Sequence, residues 1–244
     1  MTGSDGQSAR GTGGATAGRH LIGVPFALVV AAALLVSVVL AARAAHGLGY
    51  EPRAARATTG ANITLSTFPD SMVCHGSDGG SHPDWVTYCP STTIRVPAYS
   101  TVTVTVLQYD GATPLHNSFF DRVRGTVGAT MTVNGRVMAQ LSASAAAHTF
   151  TIQTPPDAHE PYMFVSVPLM GTADSAPRVT VDGHRYPKPN VIVFRFRTGA
   201  PGTYVWHCYI PCGTGLAGQG FAGQEGFGGP MATTGYMAGT LTVS

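Results

Sequence analysis

The chain has 244 residues, 44% of them hydrophobic, with 31 glycines and 17 prolines. That leaves room for one sizeable domain and a short appendage, in a composition that suits a turn-rich β fold. The formal net charge is +2, and with Arg10, Arg19, Arg43, Arg53 and Arg56 all in the first 56 residues the remainder is near neutral, so a nucleic-acid partner has no support.

Residues 1–20 are rich in Gly, Ser, Thr and Ala and read as a disordered cytoplasmic tail. Residues 21–42 form an uncharged apolar run. As a helix rising ~1.5 Å per residue it spans roughly 33 Å, enough for a bilayer core of about 30 Å, and it predicts one transmembrane helix. The small-x-small sequence Ala42-Arg43-Ala44 leaves a cleaved signal sequence as the alternative. Arginines on both sides of the run do not set its orientation. Residues 43–60 read as a tether and 61–244 as a single β domain.

Cys74 and Cys89 sit in one polar loop rich in Gly, Ser and Asp. A loop of that length can close a disulfide worth up to ~3 kcal/mol. Disulfides persist on the oxidising side, so a single-pass cell-membrane protein with an extracytoplasmic C-terminal domain is expected.

Strand signals recur at 62–68, 93–97, 100–108, 148–153, 163–168, 191–197, 203–208 and 239–243, with a Gly/Val-rich hairpin at 127–135. Many short strands bounded by Gly, Pro and Asp turns predict an antiparallel sandwich. Hydrolase motifs and a P-loop are absent. His75, His82, His159 and His184 lie in loops and read as solvated.

The segment Gly202-Thr-Tyr-Val-Trp-His-Cys208-Tyr-Ile-Pro-Cys212-Gly reads as a strand that delivers a cysteine into a loop. Gly235-Tyr-Met237-Ala-Gly-Thr-Leu-Thr-Val243 reads as the return strand, opened by a methionine. Thiolate and thioether at the two ends of one loop select copper over hard cations. Side chains alternate along the first strand, so Tyr204, Trp206 and Cys208 face one way and Val205 and His207 the other. His207 is therefore a weak ligand candidate. Cys208 and Cys212 lie in one turn, where both sulfurs can reach one point. The alternative is a disulfide between them.

These two segments, with Ala147-His148-Thr-Phe-Thr-Ile152, resemble the copper-binding segments of the cupredoxins, including multicopper-oxidase domains and cytochrome oxidase subunit II. The resemblance implies a Greek-key β-sandwich holding copper. His148 would be the first imidazole ligand, Cys208 the thiolate and Met237 the axial thioether. Cys208 and Cys212 are similar to the bridging pair of the subunit II binuclear centre. Leu115-His116-Asn117 also resembles a first-ligand strand, ranked below His148, and Met231 is a weaker rival to Met237. One departure stands: no histidine follows Cys208, and a Gly-rich segment occupies that place.

The function implied is electron transfer beside membrane redox proteins, by a carrier rather than a catalyst. Two rivals are a copper-domain component of an oxidase-type respiratory complex and a copper-free interaction domain stapled by Cys208–Cys212. The single apolar run counts against a standard subunit II, which usually carries a two-helix hairpin.

Overall fold

Alternating β-branched and polar residues give this chain strands with one dry face. The 101–108 run TVTVTVLQ buries every second side chain, and the 190–197 run NVIVFRFR buries Ile192, Phe194 and Phe196 while Arg195 and Arg197 stay exposed. The protein is described here by a computed structural model covering residues 58–74, 82–113, 115–211, 229–231 and 233–244. The apolar run at 21–42 and Cys212 lie outside the described residues. Among those described, no helix is long and apolar enough to cross a membrane.

In chain order the strands are β1 (Thr58–Thr59), β2 (Asn62–Phe68), β3 (Thr87–Cys89), β4 (Thr93–Val96) and β5 (Thr101–Gln108). Then follow β6 (Met131–Val133), β7 (Arg136–Met138), β8 (Ala146–Gln153), β9 (Phe164–Met170), β10 (Arg178–Val181) and β11 (His184–Pro187). The series ends with β12 (Asn190–Arg197), β13 (Gly202–His207) and β14 (Ala238–Val243). Thr58 and Thr59, within the expected tether, form an edge strand.

One six-stranded sheet has the order β1-β4-β14-β13-β8-β9, the other β3-β2-β5-β12-β6-β7, and β10-β11 is a separate hairpin. The described residues are all-β, as the composition implies, but the sheets are mixed rather than antiparallel. β2 pairs with β5, and β4 pairs with both β1 and β14, in parallel. Residue periodicity reports which face a side chain takes and carries no strand direction. The chain leaves β2, visits the other sheet at β4, and returns beside β2 as β5.

Two hairpins are turned by the pairs Asn134-Gly135 and Asp182-Gly183. All four residues have positive φ, which suits the two-residue turns that match strand twist.

The core fills the space between the sheets. Val102, Val104, Val106, Ile192, Phe194 and Phe196 on one side meet Phe150, Ile152, Val167, Tyr204, Trp206 and Leu241 on the other. The Phe150 and Phe194 ring centroids lie 5.5 Å apart across that space. Trp206 is fully buried, packs edge-on against Tyr88, and donates from Nε1 to the Thr92 carbonyl at 2.9 Å. Cys74 and Cys89 form the expected disulfide, with Cα atoms 6.1 Å apart. Cys89 packs with Phe68, Tyr109 and Tyr186 in a smaller second cluster.

Candidate metal centre

β8 and β13 lie side by side, with His207 opposite Thr151 and Trp206 opposite Ile152. His148 shares the parity of Phe150 and Ile152 on β8, and Cys208 shares that of Tyr204 and Trp206 on β13. Both therefore turn toward the interior of the sandwich, and both are buried. A register shift between Ala146 and His148 marks where β8 enters the site.

The loop beyond β13 is tied down at once. The Cys208 N–H donates to the Met237 carbonyl at 3.0 Å, just ahead of β14. The Tyr209 N–H donates to Thr149 Oγ1 at 2.8 Å. The Thr149 N–H points at Cys208 Sγ at 3.4 Å, and Tyr88 on the opposite sheet donates its hydroxyl proton to the Thr149 carbonyl at 3.1 Å. Cys208 Sγ also lies 3.6 Å from the Ile210 carbonyl.

At the centre, Cys208 Sγ stands 3.9 Å from His148 Nδ1. The other ring nitrogen, Nε2, is 2.9 Å from Asp110 Oδ2, at the end of β5 in the facing sheet. Burial by itself pulls the His148 pKa down. The hydrogen bond to Asp110, then that to Cys208 and the charges of both partners, outweigh burial and hold the imidazole up at about 9.

The expected ligands are not all brought together. His148 and Cys208 converge, and the Met237 backbone joins them. Met237 and Met231 are both buried in the main core, and the Met237 N–H donates to the carbonyl of Pro230, the residue before Met231, at 3.2 Å. His207 takes the opposite face, half-buried, its ring centroid 6.0 Å from that of Tyr209, and burial pushes its pKa down. His116 is exposed, ahead of the short 3-10 turn Ser118–Asp121. The position of Cys212 lies outside the described residues. His82, read as solvated, instead stacks on Trp85 with ring centroids 4.1 Å apart and meets the edge of Tyr236.

The donor pair fits a soft metal ion. With thiolate sulfur at about 2.3 Å and imidazole nitrogen at about 2.0 Å from a shared ion, the two donors can stand up to ~4.3 Å apart. The observed 3.9 Å is inside that span. Among the described residues no three His, Cys, Asp or Glu side chains gather into a metal-holding group, so a third donor of the described set would be a thioether or an oxygen such as the Ile210 carbonyl beside the sulfur.

Asp110 and Thr149 are the functional neighbours that the sequence hides. Asp110 precedes a glycine at a strand end and reads there as an ordinary turn residue, 38 positions from the histidine it supports. Only the packing of one sheet on the other brings them together.

No family model matches the chain, and no curated protein matches it. Among solved structures it is similar to auracyanin B, at 16% identity and a TM-score of 0.29 over 75% of this chain and 89% of that one. It is also similar to dithionite-reduced auracyanin from the photosynthetic bacterium Roseiflexus castenholzii, at 15% identity and a TM-score of 0.28 over 75% and 97%. The blue copper oxidase from Nitrosomonas europaea overlaps at 14% identity and a TM-score of 0.25, over 75% of this chain and 44% of that one.

Proposed function

We propose that this chain is a membrane-anchored, extracytoplasmic copper-binding protein of cupredoxin type that carries single electrons. The observation that carries the reading is the buried His148–Cys208 pair, an imidazole nitrogen and a sulfur turned toward each other at 3.9 Å. Imidazole with soft sulfur is a donor set that suits copper. His148, Cys208 and Met237 are assigned as ligands, with Met231 as the rival thioether. Cys212 joins them if the centre is binuclear. Bound copper would supply a one-electron couple there.

What the protein contributes is rigidity. Cys208 is fixed through its own backbone to Met237 and through its sulfur to the Thr149 N–H, and Thr149 is in turn held by Tyr88 and Tyr209. A ligand set held this way needs little rearrangement between two oxidation states. The N–H aimed at sulfur and the apolar surroundings are the features that tune such a centre's potential. Residues 21–42 are assigned as the anchor, which would keep the carrier beside membrane redox partners.

Titrating the reduced full-length chain with copper(II) tests the reading. A thiolate–copper band in the visible is expected, and Cys208→Ser should abolish it. Cys212→Ser separates the two forms of the centre. A binuclear site loses its spectrum, whereas a mononuclear His148–Cys208–Met237 site stays coloured. A reduced wild-type chain that takes up no copper would instead establish the interaction-domain reading.

A further inference from the structure

We propose that Asp110 is the positioning residue of this centre. Its carboxylate fixes the His148 ring so that Nδ1 is the atom presented to Cys208, and its negative charge biases a bound copper ion toward the oxidised state. The inference rests on the copper reading above for its second half only.

The geometry begins with the ring. A half-turn of the imidazole about its bond to Cβ exchanges Nδ1 with a carbon, which would leave no donor facing Cys208. The 2.9 Å contact between Nε2 and Asp110 Oδ2 opposes that turn, because it too would be lost. The aspartate is itself built in rather than free to follow. Its Oδ1 accepts from the Gly111 N–H at 2.7 Å. Its carbonyl accepts from the Thr172 N–H at 2.8 Å and from Thr172 Oγ1 at 2.9 Å. The Gln108 amide lies 3.5 Å from the same carbonyl, and that fully buried side chain is hydrogen-bonded to Thr67.

Asp110 therefore reaches across from one sheet to orient a ligand that belongs to the other. The Asp110 side chain keeps 21% of its surface in solvent, so its charge is not stranded in the core. A carboxylate behind an imidazole makes the ring a stronger donor. Stronger donation favours copper(II) over copper(I).

Two variants of the full-length chain separate the parts. Asp110→Asn keeps an oxygen for the Nε2–H but removes the charge, and Asp110→Ala removes both. With copper bound, Asp110→Asn should stay coloured while its preference for copper(I) rises roughly tenfold, about 59 mV for a one-electron couple. Asp110→Ala should lose roughly 10–100-fold in copper affinity. In the metal-free protein, nitrogen-15 NMR should find a slowly exchanging His148 Nε2 proton in the wild type that is lost in Asp110→Ala. A purely structural role for Asp110 would not move the redox balance of a variant that folds and binds. An unchanged balance in Asp110→Asn overturns the charge claim, and a protected Nε2 proton surviving in Asp110→Ala overturns the positioning claim. If the wild-type chain binds no copper, the copper reading fails and the proton measurement still judges the orientation. If Asp110→Ala does not fold, the redox balance in Asp110→Asn judges the charge claim, and a fast-exchanging His148 Nε2 proton in the wild type overturns the positioning claim.

Discussion

Tyr186 is nearly buried, and its hydroxyl proton is donated to Asp70 Oδ1 at 2.7 Å. Its ring packs on Phe68 and Tyr109, beneath the Cys74–Cys89 bridge. Burial first, and then the hydrogen bond and charge of Asp70, push its pKa well above the ordinary tyrosine value of about 10. The folded state thus holds this proton more tightly than the unfolded chain does. The stability linked to it is complete below about pH 10 and is lost as the pH rises beyond that value. Tyr186→Phe should cost about 1–3 kcal/mol near neutral pH, because it removes a hydrogen bond to a carboxylate, although Asp70 Oδ1 keeps the Met72 N–H at 3.0 Å. It should also flatten the alkaline fall in stability, with a remaining slope from Tyr109, Tyr204 and Tyr209, whose pKa values burial also raises. Urea melts of both proteins between pH 8 and pH 11 would show this; parallel alkaline limbs would remove Tyr186 from the account.

At the scale of the element, Gly239 on β14 leaves no room for a side chain. A Cβ there would run into the Thr92 carbonyl, which already accepts from the Thr240 N–H at 3.0 Å and from Trp206 Nε1 at 2.9 Å. Gly239→Ala is expected to cost about 1–3 kcal/mol as an overpacked strand contact. Gly199→Ala, where an added Cβ meets nothing within 4 Å, is the control and should stay near neutral. Equal thermal midpoints for the two variants would refute the crowding argument. The long strands were legible from the chain alone because their side chains alternate: 62–68 is matched by β2 residue for residue, and 191–197 by all but one residue of β12. β3 is three residues long and β10 and β11 four each, too short for a period-two pattern to rise above the composition of a loop. The same alternation placed Cys208 on the inner face and His207 on the outer one. It could not reveal Asp110, whose contact with His148 depends on how two sheets are stacked rather than on any local pattern.

At the scale of the whole molecule, an apolar run at 21–42 precedes the β-sandwich. Attachment through that run is apolar rather than electrostatic. The full-length chain should therefore stay in the membrane fraction through high-salt and carbonate washes, as checked by fractionation and blotting. A soluble mature form beginning near Ala45 would show that the segment is cleaved. The near-neutral domain gives no second, charge-based means of staying at the surface, so the two outcomes separate cleanly.

The sheet order β1-β4-β14-β13-β8-β9 has a consequence for how the protein is made. β14 lies in the interior of its sheet, with β4 on one side and β13 on the other, yet it leaves the ribosome after every other described strand. Until it arrives, β1 and β4 have no link to β13, β8 and β9 within that sheet, and the Cys208 N–H lacks the Met237 carbonyl that fixes it. Pairings of such long sequence separation close slowly, since the entropy of the intervening loop must be lost first. Synthesis of His148 and Cys208 and assembly of the proposed site are thus separated in time. His148 and Cys208 are both translated before the strand that completes their sheet, and the backbone contact that fixes Cys208 forms only once β14 has docked.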